Sequence, residues 1–439
     1  MTPLPSLSAE PAYVGYSYAY PHKTAYRPLR PPVPLRQVWA DERRDALFLY
    51  LHVPFCEMRC GFCNLFTLTR PKEGLADAYL GALRRQAVRV RDALSEARFA
   101  RVAVGGGTPT FLDATQLAEL FDIGEQILGA DLHAVPVAVE TSPKTAEPDK
   151  LALLRDRGVQ RVSIGVQSFL DEEVAAAGRP QNRAEVETAL ERLRSASFPI
   201  LNLDLIYGLP RQTVASWLQS VRSALRWRPE ELYLYPLYVR PLTGLEHARR
   251  DNDDIRPACY REARDLLQDA GYVQMSMRMF RARHAPTMDG PVYCCQEDGM
   301  VGVGCGARSY TRNLHYATEY AVRAPGIRAI LADYIDRPDE TFDWADYGFH
   351  LGPEEQRRRF VIQSLLWAEG LELAAYRNRF GTEALDDLPE LGELEPLGLA
   401  QRGPDRLSLT AAGVERSDAL GPWLYSEAVR NQMEDYAWR

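Results

Sequence analysis

The sequence predicts an α/β protein: a partial (β/α)6 barrel of the TIM-like kind, followed by a smaller, mostly helical α+β domain. Three observations carry that prediction. From residue 47 to 244, short runs rich in Val, Ile, Leu and Tyr alternate with longer amphipathic stretches, and strands separated by helices pair in parallel through right-handed crossovers. Six such runs occur, where a closed barrel needs eight. Unusual residues also recur just after strand upon strand, at the rim where parallel α/β folds bind ligands because the loops vary while the strands hold them in place.

The elements follow in order. Residues 1–45 are rich in Pro and Tyr without a sustained period, so they read as an extended arm lying on the surface or reaching over a cleft. Tyr16, Tyr18 and Tyr20 alternate within it, and surface packing accounts for them better than a pocket lining. The barrel is expected over 46–245, with strands at 47–54, 100–105, 134–141, 161–166, 199–205 and 231–237. Its helices fall at 75–97, 113–128, 148–157, 182–195 and 212–227; Asp113, three residues before Gln116, makes a capping-box pattern. No G-x-G-x-x-G follows the first strand, which disfavours a doubly wound nucleotide fold.

A barrel-closing extension is expected over 246–350, its boundary in the charged run Arg249 to Asp254. It carries a helix at 257–270 and a glycine-rich segment, Gly302 to Gly306, where backbone must approach another surface closely. The last unit, 351–439, holds helices at 354–368, 371–379 and 414–438 and a hairpin around Gly403 and 407–410. That order suits a winged-helix shape, but the acidic stretch 383–399 tells against DNA reading.

Composition excludes several classes. The formal net charge of −8 argues against a nucleic-acid partner. Seven Cys, three of them in one loop, do not form a disulfide framework and suit a reducing compartment. With no charged-then-apolar leader and no apolar run near the ~20 residues that span a bilayer, the chain is expected to be cytoplasmic, without a membrane partner, and monomeric. Only Lys23, Lys72, Lys144 and Lys150 could supply a catalytic lysine.

The chemistry concentrates behind the first strand, where Cys56, Cys60 and Cys63 are spaced C-x3-C-x2-C. Three thiolates suit a four-iron cluster, each binding one iron and leaving the fourth open to something that is not protein. Structural zinc wants four closed ligands, commonly in two short pairs, and the nearby His52 lies back on the strand. A disulfide would leave one of the three unpaired. The rim continues with Gly105, Gly106, Gly107 and Thr108, then Glu140, Gln167, Asp204 and Tyr238. Each has a plain structural reading, as a turn, a cap or an ion pair; placed together beside a candidate cluster they point to a site.

Four blocks, Tyr50-x-His52-x-Pro54-Phe55-Cys56-x3-Cys60-x-Phe62-Cys63, Gly105-Gly-Gly-Thr-Pro109, Val162-Ser-Ile-Gly-Val-Gln-Ser-Phe169 and Asp204-Leu-Ile-Tyr-Gly-Leu-Pro210, resemble the radical S-adenosylmethionine (SAM) enzymes related to oxygen-independent coproporphyrinogen III oxidase. The resemblance covers 45–320, with a weaker echo in the tail. It implies that Cys56, Cys60 and Cys63 hold a [4Fe-4S] cluster and that Tyr50, Phe62, Gly106, Gly107, Thr108 and Glu140 contact SAM. In relatives with a second SAM, Gln167, Arg179, Asp204 and backbone near Tyr238 and Arg308 would line its site.

Departures from the family bear on the reaction. The oxidases carry a fourth Cys where this chain has Leu65, and the haem-carrying relatives show a His-Asn and Tyr-Trp signature where this chain has Tyr293-Cys294-Cys295-Gln296-Glu297-Asp298. The leading expectation is reductive cleavage of SAM to a 5′-deoxyadenosyl radical. That radical would serve hydrogen abstraction or two-SAM methyl or methylene transfer on a small, carboxylate-bearing substrate, with flavodoxin or ferredoxin as reductant. Arg240, Arg278, Arg281, Arg283 and Arg308 fall in segments expected to flank the open side, where they would suit such carboxylates; in so Arg-rich a chain, solvated surface arginines account for them at least as well. The alternatives are oxidative decarboxylation of coproporphyrinogen III, or a non-enzymatic haem-binding and transfer protein with a regulatory cluster and Cys294, Cys295 or His315 as axial ligand.

Overall fold

The computed structural model describes residues 7, 11–17, 19–246, 253–287 and 293–438. Six strands, Leu47–Val53, Phe99–Gly106, Val137–Thr141, Arg161–Gln167, Ile200–Tyr207 and Glu231–Pro236, lie side by side in chain order, all parallel. Their period-two alternation sets the two faces. In the first strand Leu47, Leu49, Leu51 and Val53 are fully buried, and helix Leu75–Leu94 buries Tyr79, Leu80, Leu83, Ala87 and Val90 in the same core. The other face carries Tyr50, Glu140, Ser163, Asp204 and Tyr233, polar residues that neighbouring registers bring together: Glu140 lies beside Ser163, and Gly165, Asp204 and Tyr233 form one row.

The sheet is longer than six strands. Among the described residues it has thirteen, continuing beyond the first through Met300–Val303, Arg308–Tyr310, Leu314–Ala317, Trp344–His350 and Arg27–Pro34, and beyond the sixth through Met279–Ala282 and Tyr272–Gln274. The N-terminal arm therefore holds a strand that the sequence hid. Four of its eight residues are proline, which is tolerated because the strand is a sheet edge where missing N–H groups break no ladder on the open side. A short helix, Leu35–Ala40, follows it. Tyr20 is not a surface residue, being buried with its hydroxyl donating to Glu355, while Tyr16 is half-buried and packs on Tyr235 with ring centroids 6.4 Å apart. Tyr18 lies outside the described residues, as does most of the charged run expected to mark the boundary.

Asp113 caps its helix as expected, accepting from the Gln116 amide at 2.9 Å; helix Ala114–Asp122 then passes into a π-helical turn, Ile123–Ile127. The tail has its own core, built from Phe360, Ile362, Leu365, Tyr376, Leu391, Leu407, Leu420 and Leu424. The expected hairpin pairs Ala400–Arg402 with Arg406–Leu409. The long helix at 414–438 is instead three helices, Ala411–Glu415, Ser417–Trp423 and Glu427–Glu434. Pro422 cannot donate to a helical ladder, and the Ser426 hydroxyl accepts from the Val429 amide at 3.1 Å to start the last helix. Among the described residues no helix is long and apolar enough to cross a membrane.

One buried ion pair joins the parts. Arg278, 4% exposed in its side chain, pairs with Asp418, 1% exposed, from the tail. Tyr238, just past the sixth strand, donates to the same carboxylate and accepts from Arg278 Nη2 at 2.7 Å, while the guanidinium stacks 3.8 Å over the Tyr16 ring of the arm. Removing one partner strands the other charge in a desolvated site, a loss of about 3–5 kcal/mol. Asp418→Leu is predicted to lose about that much in urea unfolding, and Arg278→Met with Asp418→Leu clearly less. Equal losses in the single and double variants would contradict this account.

Candidate functional site

The cysteine loop is pinned at both ends. Phe55 and Cys56 pair in parallel with Leu68 and Thr69, closing the intervening chain into a loop. Inside it the Cys63 amide donates to Cys60 O at 3.0 Å, and the Gly61 amide donates to Ala177 O at 3.0 Å. A Cβ on Gly61 would sit 2.7 Å from that Ala177 oxygen, so the close approach requires glycine. All three cysteines are free thiols. Cys56 Sγ lies 3.1 Å from Thr108 Oγ1, Cys60 Sγ accepts from Arg179 Nη1 at 3.1 Å, and Cys63 Sγ lies 3.9 Å from Thr67 Oγ1.

Burial pushes the Cys56 thiol up to about 12, with Glu57 adding to the effect. It raises Cys60 as well, against the pull of Arg179, and the Cys63 sulfur raises both neighbours. Cys60 is buried, and Cys56 and Cys63 are half-buried. Among the described residues no three His, Cys, Asp or Glu side chains are arranged to hold one metal ion. A zinc ion would draw its sulfurs to about 2.3 Å from a single point, whereas a four-iron cube takes one thiolate per iron. The donor set therefore fits the cube better than the ion.

The glycine run lies directly against this loop. The Gly107 amide donates to Val53 O and the Thr108 amide to Phe55 O, both at 2.7 Å. A Cβ on Gly107 would lie 2.2 Å from Phe55 O, and one on Gly106, at φ +119°, would lie 2.6 Å from the His52 ring. His52 also abuts Gly306, whose Cβ would lie 2.7 Å from its Nε2. This buried imidazole, held neutral at about 4 by burial, spaces the two glycine-rich segments. Its role was invisible along the chain because both glycines come from elsewhere. Tyr50 lies beside it, with its hydroxyl 3.4 Å from His52 Nδ1.

Glu140 accepts from the Gly106 amide at 3.1 Å, and a Cβ on Gly105 would touch its carboxylate at 2.9 Å. Its side chain keeps solvent access. Burial, then the neighbouring Asp204, pushes its carboxyl up to about 7. Asp204 itself is pushed up to about 6 by burial, against a 2.8 Å hydrogen bond from Asn202 Nδ2. Two carboxyls that resist ionisation are poised for cationic or hydroxyl-bearing ligands. Gln167 ends its strand at φ +67°, where the register shifts. Arg179 joins that strand to the cysteine loop through Cys60 Sγ and the Gly165 oxygen, the latter at 2.6 Å.

The remaining predicted residues divide. Phe62 packs into a small apolar group with Ala177, Leu209, Leu237 and Leu245. The Tyr238 hydroxyl is taken up by the buried ion pair, and Arg308 stacks 5.7 Å over Tyr310. Of the five arginines expected to face the opening, Arg278 is committed to Asp418, Arg281 to Glu231, and Arg283 points to solvent. Their pairing is tertiary, since both carboxylates lie far away in sequence. Arg240 remains near the rim, over the Tyr238 ring at 4.8 Å. Cys294 and Cys295 are half-buried under Arg359, which donates to Cys295 O at 2.7 Å. His315 is 1% exposed, and both ring nitrogens lack a hydrogen-bond partner among the described residues. The sequence named Lys23 as one of four lysines without placing it: a single helical turn, Lys23–Ala25, sets its ammonium 3.5 Å over the Tyr320 ring, whose hydroxyl donates to Asn64 O in the cysteine loop.

A parallel α/β sheet with a three-cysteine loop at its rim is the architecture of a radical SAM core, and sequence comparison agrees. The profile of the Radical SAM superfamily matches residues 50–224, and that of the HemN C-terminal domain matches 351–415. Over 376 residues the chain is 34% identical to the heme chaperone HemW of Bacillus subtilis, covering 83% of this chain and 95% of the relative. It is 29% identical to the oxygen-independent coproporphyrinogen III oxidase of Pseudomonas aeruginosa, covering 85% and 81%. The solved coproporphyrinogen III oxidase (HemN) of Escherichia coli superposes with a TM-score of 0.76 at 24% identity, over 89% of this chain and 92% of that one. The chain belongs to the radical SAM superfamily, in the family that holds the oxygen-independent coproporphyrinogen III oxidases and HemW. That superfamily works with a [4Fe-4S] cluster and SAM.

The Glu140 carboxyl makes stability pH-dependent. Below its ordinary value of 4.5 it is protonated in both folded and unfolded chains and contributes nothing; between 4.5 and about 7 the unfolded chain ionises first, so stability falls as pH rises. Metal-free Glu140→Gln is predicted to unfold at higher urea than wild type at about pH 8 and at the same urea near about pH 4. A difference that does not change with pH would count against this.

Proposed function

We propose that this chain is an enzyme that cleaves SAM reductively and directs the resulting radical at a small, carboxylate-bearing substrate. One observation carries the reading: the cysteine loop, the glycine run and Glu140 converge at one rim through direct contacts. Cys56, Cys60 and Cys63 would hold the cluster and leave one iron for SAM. When bound and reduced, that cluster supplies the electron that breaks the SAM carbon–sulfur bond and releases the 5′-deoxyadenosyl radical.

The chain's own groups do the positioning. Gly106, Gly107 and Thr108 would line the methionine end, with their amides already engaged by Glu140, Val53 O and Phe55 O. Glu140, reluctant to ionise in the empty fold, gains a counter-charge from an ammonium group. Tyr50 and Phe62 supply ring and edge contacts, while Gln167, Arg179, Asp204, Tyr238 and Arg308 would line a second SAM or the substrate. Leu65, 48% exposed, stands where a fourth cysteine would be, which favours hydrogen abstraction or methyl or methylene transfer over decarboxylation of coproporphyrinogen III. A flavodoxin- or ferredoxin-type reductant would supply the electron, and the chain would act as a monomer.

A haem-transfer reading draws on the similarity to the HemW relative and on the half-buried pair Cys294 and Cys295. His315 supports it poorly, since a residue 1% exposed cannot reach a bound porphyrin without rearrangement. Titrating haem into the protein separates the readings: a Soret shift lost in Cys294→Ala with Cys295→Ala would favour transfer.

The enzyme reading is tested anaerobically. Reconstituted, dithionite-reduced wild type should form 5′-deoxyadenosine from SAM, and Cys56→Ala, Cys60→Ala and Cys63→Ala should lose the cluster absorbance and the product together. Glu140→Gln should keep the iron and bind SAM about tenfold more weakly, the worth of one charge-assisted hydrogen bond. Product from the cysteine variants at the wild-type rate would end the proposal.

A further inference from the structure

Arg179 lies just past the short helix Asp171–Ala176, and two contacts fix the plane of its guanidinium. Nε donates to Gln181 Oε1 at 2.6 Å and Nη2 donates to Gly165 O at 2.6 Å, while Gln181 Nε2 is tied in turn to Val166 O at 2.6 Å. With the plane set, Nη1 is aimed at Cys60 Sγ, 3.1 Å away. The backbone of the same turn also grips the cysteine loop, because Ala177 O accepts from the Gly61 amide at 3.0 Å. Neighbouring loop residues are thus bonded to neighbouring turn residues, and the sulfur has little freedom to leave the guanidinium.

Arg179 is 6% exposed and Cys60 7%. A guanidinium so far from water is normally matched by a carboxylate, because an unpaired buried charge carries its full desolvation cost. Among the described residues this one donates to two oxygens of uncharged groups and to one sulfur, with no carboxylate oxygen in ion-pairing range. Asp204 feels its charge only from further off. The sulfur is therefore the one bonded partner that can carry the opposite charge. Burial raises the Cys60 thiol and Arg179 draws it back down. In a cluster held by thiolates, hydrogen bonds to the sulfurs and the net charge nearby set the reduction potential. An electron added to such a cluster adds negative charge, which a fixed cation and an N–H donor on one sulfur both stabilise.

We propose that Arg179 is the charge partner of the cluster: its guanidinium holds Cys60 in place and, through a fixed positive charge and an N–H on that sulfur, makes the cluster easier to reduce. This rests on the enzyme reading above and goes beyond a part in lining a ligand, for which each Nη still keeps a second N–H. Arg179 acts through Cys60 and is a positioning residue.

The test uses full-length protein reconstituted with iron and sulfide, reduced stepwise against mediators of known potential without SAM and followed by electron paramagnetic resonance. Arg179→Met is expected to disfavour reduction about tenfold at a given potential, a downward shift of about 59 mV for a one-electron couple. Arg179→Gln, neutral but still able to donate, should move the same way by less. Arg179→Lys, which keeps the charge without the planar fork, should recover part of the loss. A role confined to lining a ligand gives a different pattern: wild-type potentials without SAM, and weaker SAM binding by anaerobic equilibrium dialysis. That pattern, or a shift in Arg179→Lys as large as in Arg179→Met, overturns the assignment. If Arg179→Met takes up no cluster, Arg179→Gln is compared with Arg179→Lys in its place. Loss of the cluster from all three variants marks a folding role and also overturns the assignment. Iron and sulfide in the wild type are scored first, so a protein that holds no cluster would end the enzyme reading without being mistaken for a failure of Arg179.

Discussion

A loop can present three thiols to one cluster only if its backbone is not free to relax, and here the restraint is steric. Gly61 lies against Ala177 O, Gly107 lies against Phe55 O, and neither position has room for a Cβ. The loop is thereby held between the turn that ends the short helix Asp171–Ala176, after the fourth parallel strand, and the end of the second. The spacing of the cysteines matters less than the fact that the chain around them can adopt few other conformations.

The same restraint explains the polarity of the interior. A barrel floor filled with Val and Leu would pack well but would leave nothing to orient a polar cofactor. Instead Arg161 and Arg281 neutralise Glu231 at the base, and the polar row rises through Ser163 and Asn202 to Asp204 and Glu140 near the rim. Counter-charge is complete at the base and deficient at the top, where burial holds both carboxyls above their ordinary range. That gradient marks where a ligand belongs.

The surrounding segments close the site. The arm, the extension and the tail meet at Arg278 and Asp418, so the rim is enclosed by elements from both ends of the chain. A buried pair of this kind contributes little net stability compared with apolar packing, but it has one satisfied geometry and so fixes how these segments sit.

The parallel strands, the cysteine loop and the glycine turn were legible in the chain because each depends on local chemistry: alternation, spacing, and the need for a missing Cβ. The proline-rich edge strand was not, because its pairing with Trp344–His350 supplies the order that its own residues deny. Arginines expected at the opening turned out to be committed to Asp418 and Glu231, and Lys23 emerged beside the cysteine loop. No period or motif records such encounters, since they join residues far apart in the sequence. The sequence by itself determined which groups can do chemistry; tertiary structure decided which of them still lack a partner, because a charge is spent or left available only when distant segments meet.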